Sequence, residues 1–297
     1  MIKKFYLSVF ALLLAFSAIL TFSAVNAQHG GFGDDEDGGG NTGRALRIIG
    51  LTSDGRLLRF NENDPREAVT LGTISGFTGG DTAFVGIDYR VQDGLLYGVG
   101  NAGGIYRFNS ANSTVATFVN SLTVPLSGTR FGVDFNPVPD RLRIISDTGQ
   151  NLRHNVNPGG TTINDTALSY TPPTVATGVT GAAYTNNDLD ANTATTLYDI
   201  DSTMDQVVIQ SPANSGMLAA TGRLTLDTTS NVGFDIYSTI RGGMTVDNEG
   251  YATLTATDNS TQLYSINLLT GRATARGAFS FQNQVIDIAI PLNQRRR

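Results

Sequence analysis

The 297-residue chain contains no cysteine and only two histidines. The absence of cysteine excludes disulfide bonds and a lipid-modified cysteine, so stability outside a cell has to come from packing. It also excludes a zinc site built from cysteine and histidine, because the chain beyond its N-terminal segment holds a single histidine, His154. The available chemistry is therefore that of carboxylates, guanidinium groups, amides and hydroxyls.

Basic residues are also scarce. The chain has 20 basic and 26 acidic side chains, a formal net charge of −6, and both of its lysines, Lys3 and Lys4, lie at the N-terminus. This balance disfavours a nucleic-acid partner, which needs a basic surface. Asp outnumbers Glu 22 to 4, and 34 residues are Gly, a composition typical of short strands joined by tight turns.

The N-terminus has the features of a targeting segment. Lys3 and Lys4 precede an apolar run from Phe5 to Leu20, and small residues stand at Val25 and Ala27. This pattern predicts a secretory signal peptide over residues 1–27 and a secreted protein, extracellular or periplasmic, with no membrane span after cleavage. A retained membrane anchor is the alternative.

The mature chain divides into a tail and one domain. Residues 28–43 are rich in Gly and carry four acidic side chains, which predicts a disordered linker; a calcium site in this run is the alternative. Residues 44–297 are expected to form a single domain, and no stretch of them shows a sustained helical period.

A five-residue sequence motif, called the phrase below, occurs five times in this domain. Each copy is an apolar stretch that ends on Asn or Asp. The copies begin at Leu57, Ile105, Asn151, Leu197 and Leu263. Their spacings of 48, 46, 46 and 66 residues lie in the range of propeller blades rather than of helical repeats. With further β runs on either side of each phrase, every period holds four strands, which predicts an all-β propeller of five blades.

The two ends of the domain complement each other. The first copy lacks the Gly-opened strand that precedes other copies, and Val285–Ile290 has the pattern of that strand. We therefore predict a ring closed by the C-terminal strand joining the N-terminal blade, which leaves no long edge strand exposed. The long fourth spacing is assigned to an insertion around residues 218–237.

The strands expected to be innermost carry Asp88, Asp134 and Asp287 at one shared position, with Ala183 and Thr245 at the position in the other two blades. Carboxylates that converge on an axis repel one another unless a cation or an arginine neutralises them. One interpretation is a metal site, with Ca²⁺ as the possible cofactor. The other is structural: each Asp accepts hydrogen bonds from the next blade.

The third blade is unusually charged between Arg130 and Arg153. From this run we take a candidate binding set, which consists of Arg141, Arg143, Asp147, Gln150 and Asn151. This set could form either a network that links neighbouring blades or a polar ligand site.

Catalytic alternatives have little support in the sequence. A Ser-His-Asp triad would have to use His154, which occupies the phrase position where other copies have Phe or Ile. A glycosidase pair would have to be two Asp residues, since the Glu residues of the domain fall in apparent turns. No catalytic residue is assigned.

The run from Arg130 to Arg153, together with Gly181–Asn187, Thr196–Asp201, Gly233–Ile236 and Leu263–Gly271, resembles the signature of the secreted bacterial family known as domain of unknown function 4394. The resemblance covers about Ala45 to Leu292. It implies an envelope or extracellular propeller and transfers no catalytic residue. We expect a noncatalytic binding or scaffold module for an extracellular ligand or protein, and the rival is a metal-assisted hydrolase of the lactonase or glycosidase kind.

Overall fold

The computed structural model describes residues 45–279 and 284–294. The predicted signal peptide (1–27) and linker (28–43) lie outside the described residues. The described part forms five four-stranded antiparallel sheets that surround one axis, so the predicted five-bladed β-propeller is confirmed. In this part of the chain, no helix has the length and apolar character of a membrane-spanning segment.

The blades are numbered along the chain, and their strands are given from the axis outward. Blade 1 contains β20 (Val285–Ala289), β1 (Arg47–Thr52), β2 (Arg56–Asn61) and β3 (Asp64–Thr73). Blade 2 contains β4 (Phe84–Tyr89), β5 (Leu96–Gly100), β6 (Gly104–Phe108) and β7 (Ala116–Ser121). Blade 3 contains β8 (Phe131–Asn136), β9 (Arg141–Ser146), β10 (Asn151–His154) and β11 (Thr162–Asn164). Blade 4 contains β12 (Val179–Tyr184), β13 (Leu197–Asp201), β14 (Gln206–Gln210) and β15 (Leu218–Arg223). Blade 5 contains β16 (Thr228–Arg241), β17 (Met244–Ala256), β18 (Thr261–Ile266) and β19 (Ala273–Ala278).

The ring is closed by β20, as the sequence predicted. This strand pairs antiparallel with β1, in a register that sets Ala289 opposite Ile49 and Ile288 opposite Gly50. Residues from the last segment of the chain therefore complete the first blade. The innermost strands contact one another all the way round, with β20 lying between β16 and β4.

Apolar packing between blades supplies the core. The buried side chains form five separate clusters, and each cluster lies between two neighbouring blades. Alternation along the strands produces this arrangement, because successive side chains point to opposite faces and every blade is covered on both. The strands near the axis are accordingly buried along almost their whole length.

Glycine permits the innermost strands to approach closely. A Cβ atom on Gly86 would lie 2.4 Å from Cγ2 of Val133 in the next blade, and one on Gly233 would lie 2.6 Å from Cα of Asp287. Both separations are too short for non-bonded carbon atoms. Gly86 in β4 and Gly233 in β16 are therefore packing requirements at the axis.

The prediction that the strand with Thr245 is innermost in blade 5 was wrong. Thr245 lies near the tip of a long β16–β17 hairpin, opposite Ile240, and the innermost strand is β16, which places Asp235 at the axis. The Gly before Thr245 belongs to the hairpin turn, where Gly242 and Gly243 both have positive φ. A turn glycine and a close-approach glycine look alike in a sequence, and this similarity caused the error.

The assigned insertion at residues 218–237 was also wrong, since this segment contains β15 and much of β16. The phrase beginning at Leu197 lies on β13, the second strand of its blade, whereas the other four copies lie on third strands. The spacing of 66 residues thus compares strands that are not equivalent. Both positions are buried apolar strands, so their composition does not distinguish them.

Closure predicts that the ring unfolds as a unit. Truncation after Gln284 removes Val285, Ile288 and Ile290, each at most 2% exposed, and should lower the free energy of unfolding by about 5 kcal/mol or more. Thermal melting of the truncated chain should show an early or absent transition. Truncation after Gln294, which removes only three arginines, is the control and should melt like the full chain. Equal melting of both variants would contradict the closure.

Candidate functional site at the propeller axis

Four of the five innermost strands place an aspartate at the axis. These residues are Asp88, Asp134, Asp235 and Asp287, which are between 2% and 6% exposed. Blade 4 has Ala183 at its matching position, as the sequence indicated. Asp235 was missed, although the resemblance already included the segment Gly233–Ile236, because Thr245 had been given its place.

The axial carboxylates accept hydrogen bonds from the backbone of the next blade. The bonds run from Ile87 N to Asp287 Oδ2 (2.8 Å), Phe135 N to Asp88 Oδ2 (2.7 Å), Tyr184 N to Asp134 Oδ2 (2.9 Å) and Ile290 N to Asp235 Oδ2 (2.6 Å). They connect blades 1 to 2, 2 to 3, 3 to 4 and 5 to 1. These contacts are of the kind that the structural interpretation of Asp88, Asp134 and Asp287 requires.

Burial dominates the protonation of these groups. It raises the pKa of Asp88, Asp134 and Asp287 well above the usual range, and the neighbouring axial carboxylates raise each of them further. Burial also raises the pKa of Asp235 to about 7, against the opposing effect of the amides of Ile290 and Ile236. The axis therefore favours neutral carboxyl groups over a full ring of negative charge.

Three of these residues could hold a cation. One oxygen each from Asp88, Asp134 and Asp235 lie within 4.8 Å of one another. Two oxygens that bind the same Ca²⁺ at about 2.4 Å are separated by at most about 5 Å, so the spacing is compatible with calcium. This group of three includes Asp235 and does not include Asp287. Any bound cation would have to displace protons from buried carboxyl groups.

The axis opens at one end into a cavity of about 130 Å³. Its lining comes from the first residues of innermost strands and the loops just before them: Phe84, Val85, Thr129, Arg130, Phe131, Ser230, Val232 and Ile286. We call this cavity the axial mouth. Asp88 lies three residues beyond Val85, about 10 Å deeper along the strand. Asp88 thus lies deeper than the mouth, whereas Asp287 directly follows Ile286 of the lining.

Two of the predicted binding residues support the loop that leads into the mouth. Asp147 accepts bonds from Thr129 N (2.9 Å) and Thr129 Oγ1 (2.6 Å), and Gln150 bonds to Ser127 N (2.9 Å) and to the carbonyl of Pro125 (2.9 Å). These contacts hold the 125–130 loop, which ends at Arg130. In the described chain Asp147 and Gln150 therefore act on the position of a mouth residue.

Arg143 and Asn151 lie in a different place, at the interface between blades 3 and 4. Arg143 is 1% exposed and donates to Asp165 Oδ2 (2.8 Å), Asn151 Oδ1 (2.7 Å) and Asn214 Oδ1 (2.8 Å). Arg141 is half-buried and donates to the backbone carbonyls of Pro139 and Asp140. The five predicted binding residues are not gathered on one face.

Asp199 was not singled out from the sequence. It is fully buried in β13, and neither of its oxygens has a hydrogen-bond partner among the described residues. Burial raises its pKa well above the usual range, and the charge of Arg143 opposes this shift. The sequence carries no signal for this position, because the alternation of β13 differs little from that of its equivalents.

His154 is fully buried and bonds through Nδ1 to Thr162 Oγ1 and through Nε2 to Asn120 Oδ1, both at 3.0 Å. Burial, with a smaller contribution from Arg141, lowers the pKa of His154 to about 4. The imidazole is therefore neutral at physiological pH and joins strands β10, β11 and β7.

Arg143 and Arg141 provide a matched pair of substitutions. Arg143→Ala removes the hydrogen bonds to Asp165, Asn151 and Asn214 and should cost about 3 kcal/mol. Asp165 keeps its bonds from Arg153, and Asn151 keeps a longer bond from Gln210. Arg141→Ala removes only bonds to nearby carbonyls at a solvated position and should cost less than about 0.5 kcal/mol. Urea denaturation measures both. Equal losses would show that the Arg143 network does not stabilise the interface.

Asp199 predicts a pH dependence of stability. Its folded-state pKa lies above the unfolded value, so its contribution to stability is present below about pH 4 and is lost as the pH rises through the folded-state pKa. Each unit of upward shift costs about 1.4 kcal/mol above that range. Asp199→Asn should therefore stabilise the protein at pH 8 and leave a flatter stability profile between pH 4 and 8.

Denaturant midpoints across this pH range check the Asp199 prediction. Asp227→Asn, at an exposed carboxylate, is the control and should leave the profile unchanged. Parallel profiles for wild type and Asp199→Asn would contradict the assignment of a charging cost to Asp199.

The chain is similar to several solved structures at low sequence identity. No curated protein sequence matches the chain. A protein of unknown function from Bacteroides thetaiotaomicron VPI-5482 shares 13% identity, with a TM-score of 0.45 over 85% of this chain and 70% of that one. An auxiliary nutrient binding protein from Bacteroides ovatus ATCC 8483 shares 13%, with a TM-score of 0.41 over 74% and 58%. A candidate 6-phosphogluconolactonase from Bacteroides fragilis NCTC 9343 shares 14%, with a TM-score of 0.38 over 82% and 84%.

At these identities and TM-scores, nothing about ligand or reaction carries over from the similar structures. The sequence comparison is more specific. The model of the family DUF4394, a domain of unknown function, matches residues 56–289 and so spans strands from all five blades. The chain belongs to the DUF4394 family.

Proposed function

We propose that this protein is an exported, noncatalytic binding module that takes its ligand at the axial mouth. The observation that carries the proposal is the chemistry of the mouth, where Arg130 is the one ionisable group among eight lining residues. General acid–base catalysis needs a group with a pKa near the working pH, and a guanidinium stays protonated. The lining suits recognition better than bond cleavage.

The state of the axial aspartates supports the same function. A retaining or inverting hydrolase needs two carboxyl groups that reach a substrate. Here four carboxyl groups are buried, and each accepts a backbone N–H from a neighbouring blade. Moving one of them to act on a substrate would break an interblade bond and leave a buried amide unsatisfied, at a cost of about 1–3 kcal/mol.

Loop support supplies a second argument. Asp147 and Gln150 hold the 125–130 loop through four hydrogen bonds, and Thr148 Oγ1 adds a fifth to the carbonyl of Ser127 (2.9 Å). A loop fixed in this way presents Arg130 without much further loss of conformational entropy on binding. We assign Asp147 and Gln150 as positioning residues of the mouth.

Export rests on the N-terminal sequence. Lys3 and Lys4, the apolar run to Leu20 and the small residues before position 28 are the features of a signal peptide. A binding module delivered outside the cell would meet extracellular or periplasmic ligands. The absence of cysteine suits a fold whose stability comes from closure and packing.

A metal-assisted hydrolase is the second candidate, and the three close oxygens of Asp88, Asp134 and Asp235 favour it. A bound cation there would keep the carboxylates ionised and could activate a water molecule. This function requires tight cation binding and a path from the mouth to the carboxylates. Calorimetry with Ca²⁺ on the purified protein tests the first requirement.

Hydrolysis assays and a fragment screen separate the two functions. With and without Ca²⁺, the mature protein should hydrolyse neither lactones nor aryl glycosides faster than Asp88→Asn does, and soaked fragments should occupy the axial mouth in crystals. Turnover that depends on Ca²⁺ and disappears in Asp88→Asn would overturn the binding-module proposal. Fragments bound only outside the mouth would overturn the placement of the site.

A further inference from the structure

Two hydrogen bonds orient the guanidinium of Arg130, an exposed side chain, at the axial mouth. Its Nε donates to Asn231 Oδ1 (2.7 Å), and its Nη1 donates to the carbonyl of Thr129 (3.0 Å). Asn231 in turn donates from Nδ2 to Gln284 Oε1 (3.0 Å). The chain of bonds joins blade 3 to blade 5 and to the start of β20 in blade 1. Arg130 is therefore oriented by groups from three sides of the mouth.

The charge of Arg130 has no acidic partner in the described part of the chain. Its bonds go to an amide and a carbonyl, which are neutral, and Nη2 makes no hydrogen bond to a described residue. Arg90, Arg143 and Arg153 are paired with carboxylates, whereas Arg130, like Arg107 and Arg141, has no ion pair among the described residues. An oriented guanidinium in a concave site, with an unused N–H edge, is a receptor for an anion.

Most of the axial carboxyl groups lie deeper than the mouth. Asp88 and Asp134 each lie three residues, about 10 Å along the strand, beyond the lining residues Val85 and Phe131. Asp287 is nearer, since it directly follows Ile286, and its Oδ2 accepts a hydrogen bond from Ile87 N (2.8 Å). The guanidinium of Arg130 is the positive charge that an anion in the mouth would meet.

The remaining walls of the mouth are mainly apolar. Phe84, Val85, Phe131, Val232 and Ile286 line the cavity, and Thr129 and Ser230 add two hydroxyl groups. Phe84, Phe131 and Val232 are buried and also belong to the clusters between blades. The volume of about 130 Å³ is close to that of an engineered cavity of about 150 Å³ that accepts benzene. An apolar group of about six heavy atoms would thus fill it. A strongly hydrated inorganic anion would leave this apolar surface unused.

From these features we propose that the axial mouth binds organic carboxylates: a carboxylate group on the Arg130 guanidinium and a compact aromatic or branched aliphatic group against the apolar wall. This inference rests on the proposed function, because it names the ligand class of the same site. A free small acid and the C-terminal carboxylate of a peptide with an apolar last residue share this chemistry.

Isothermal titration calorimetry with carboxylates and amides of matched shape tests the ligand class. Benzoate and 3-methylbutanoate should bind the mature protein, and benzamide, 3-methylbutanamide and inorganic phosphate should bind at least tenfold more weakly. A short peptide that ends in a free Leu carboxylate, compared with its C-terminal amide, distinguishes a peptide ligand from a free acid. Binding of the peptide alone would assign the carboxylate to a chain terminus.

Substitution of Arg130 tests the anchoring group. Arg130→Gln should weaken benzoate binding at least tenfold. Arg130→Lys keeps the charge and loses the planar guanidinium, so its affinity for benzoate should lie between those of the wild type and Arg130→Gln. Arg107→Gln, at an exposed arginine on β6, is the matched control and should bind benzoate like the wild type. Melting temperatures of all variants check that the hydrogen bond from Arg130 to Asn231 is not needed for folding.

The possible failures differ from those of the proposed function. If the amides bind as well as the carboxylates, or if Arg130→Gln binds benzoate unchanged, the carboxylate inference is overturned while a binding site at the mouth stands. Absence of binding by every probe overturns the inference too. The proposed function is then judged by the hydrolysis assays and the fragment screen, neither of which depends on these probes.

Discussion

Close contact of five strands around one axis is the constraint on which the rest of the structure depends. The strands can approach only where Cβ atoms are absent, as at Gly86 and Gly233, and where their backbone amides find acceptors on the neighbouring strand. Aspartate supplies those acceptors in four blades. The apolar clusters between blades then fill the wedge-shaped space that opens outward from the axis.

This arrangement has an electrostatic cost that shapes the possible chemistry. Four carboxyl groups in a narrow buried space cannot all ionise without a large free-energy cost, and burial raises the pKa of each. Their bonds to amides favour the charged form, so the two effects oppose each other within the same groups. A cation would resolve the conflict by neutralising the charge, and protonation resolves it without one. The same residues therefore support both a structural and a metal-binding interpretation.

The interface between blades 3 and 4 differs from the others in its polarity. Arg143 joins Asp165, Asn151 and Asn214 there, and Asp199 lies in the adjacent blade without a partner of its own among the described residues. Buried polar networks of this kind specify one geometry more than they add stability. In blade 3, near the start of the axis, Asp147 and Gln150 support the loop that brings Arg130 to the axial mouth. The charged run of the third blade thus divides into an interface part and a site part.

The class of fold, the number of blades and the closing strand could be predicted from the sequence, because these follow from alternation, period and the complementary ends of the domain. The sequence also located three of the four axial aspartates. Thr245 was placed at the axis in error, because a turn glycine resembles a packing glycine in a sequence. The Leu197 phrase was compared with third strands of other blades although it lies on a second strand, because both kinds of strand are buried and apolar. Only the tertiary structure decided that Asp235 completes the axial group, that Arg143 is buried while Asp147 and Gln150 support a loop, and that Arg130 reaches across to Asn231. The axial hydrogen bonds and the Arg130–Asn231 bond join residues about 50 to 200 positions apart, and their geometry arises only when the ring closes and brings different blades to one axis.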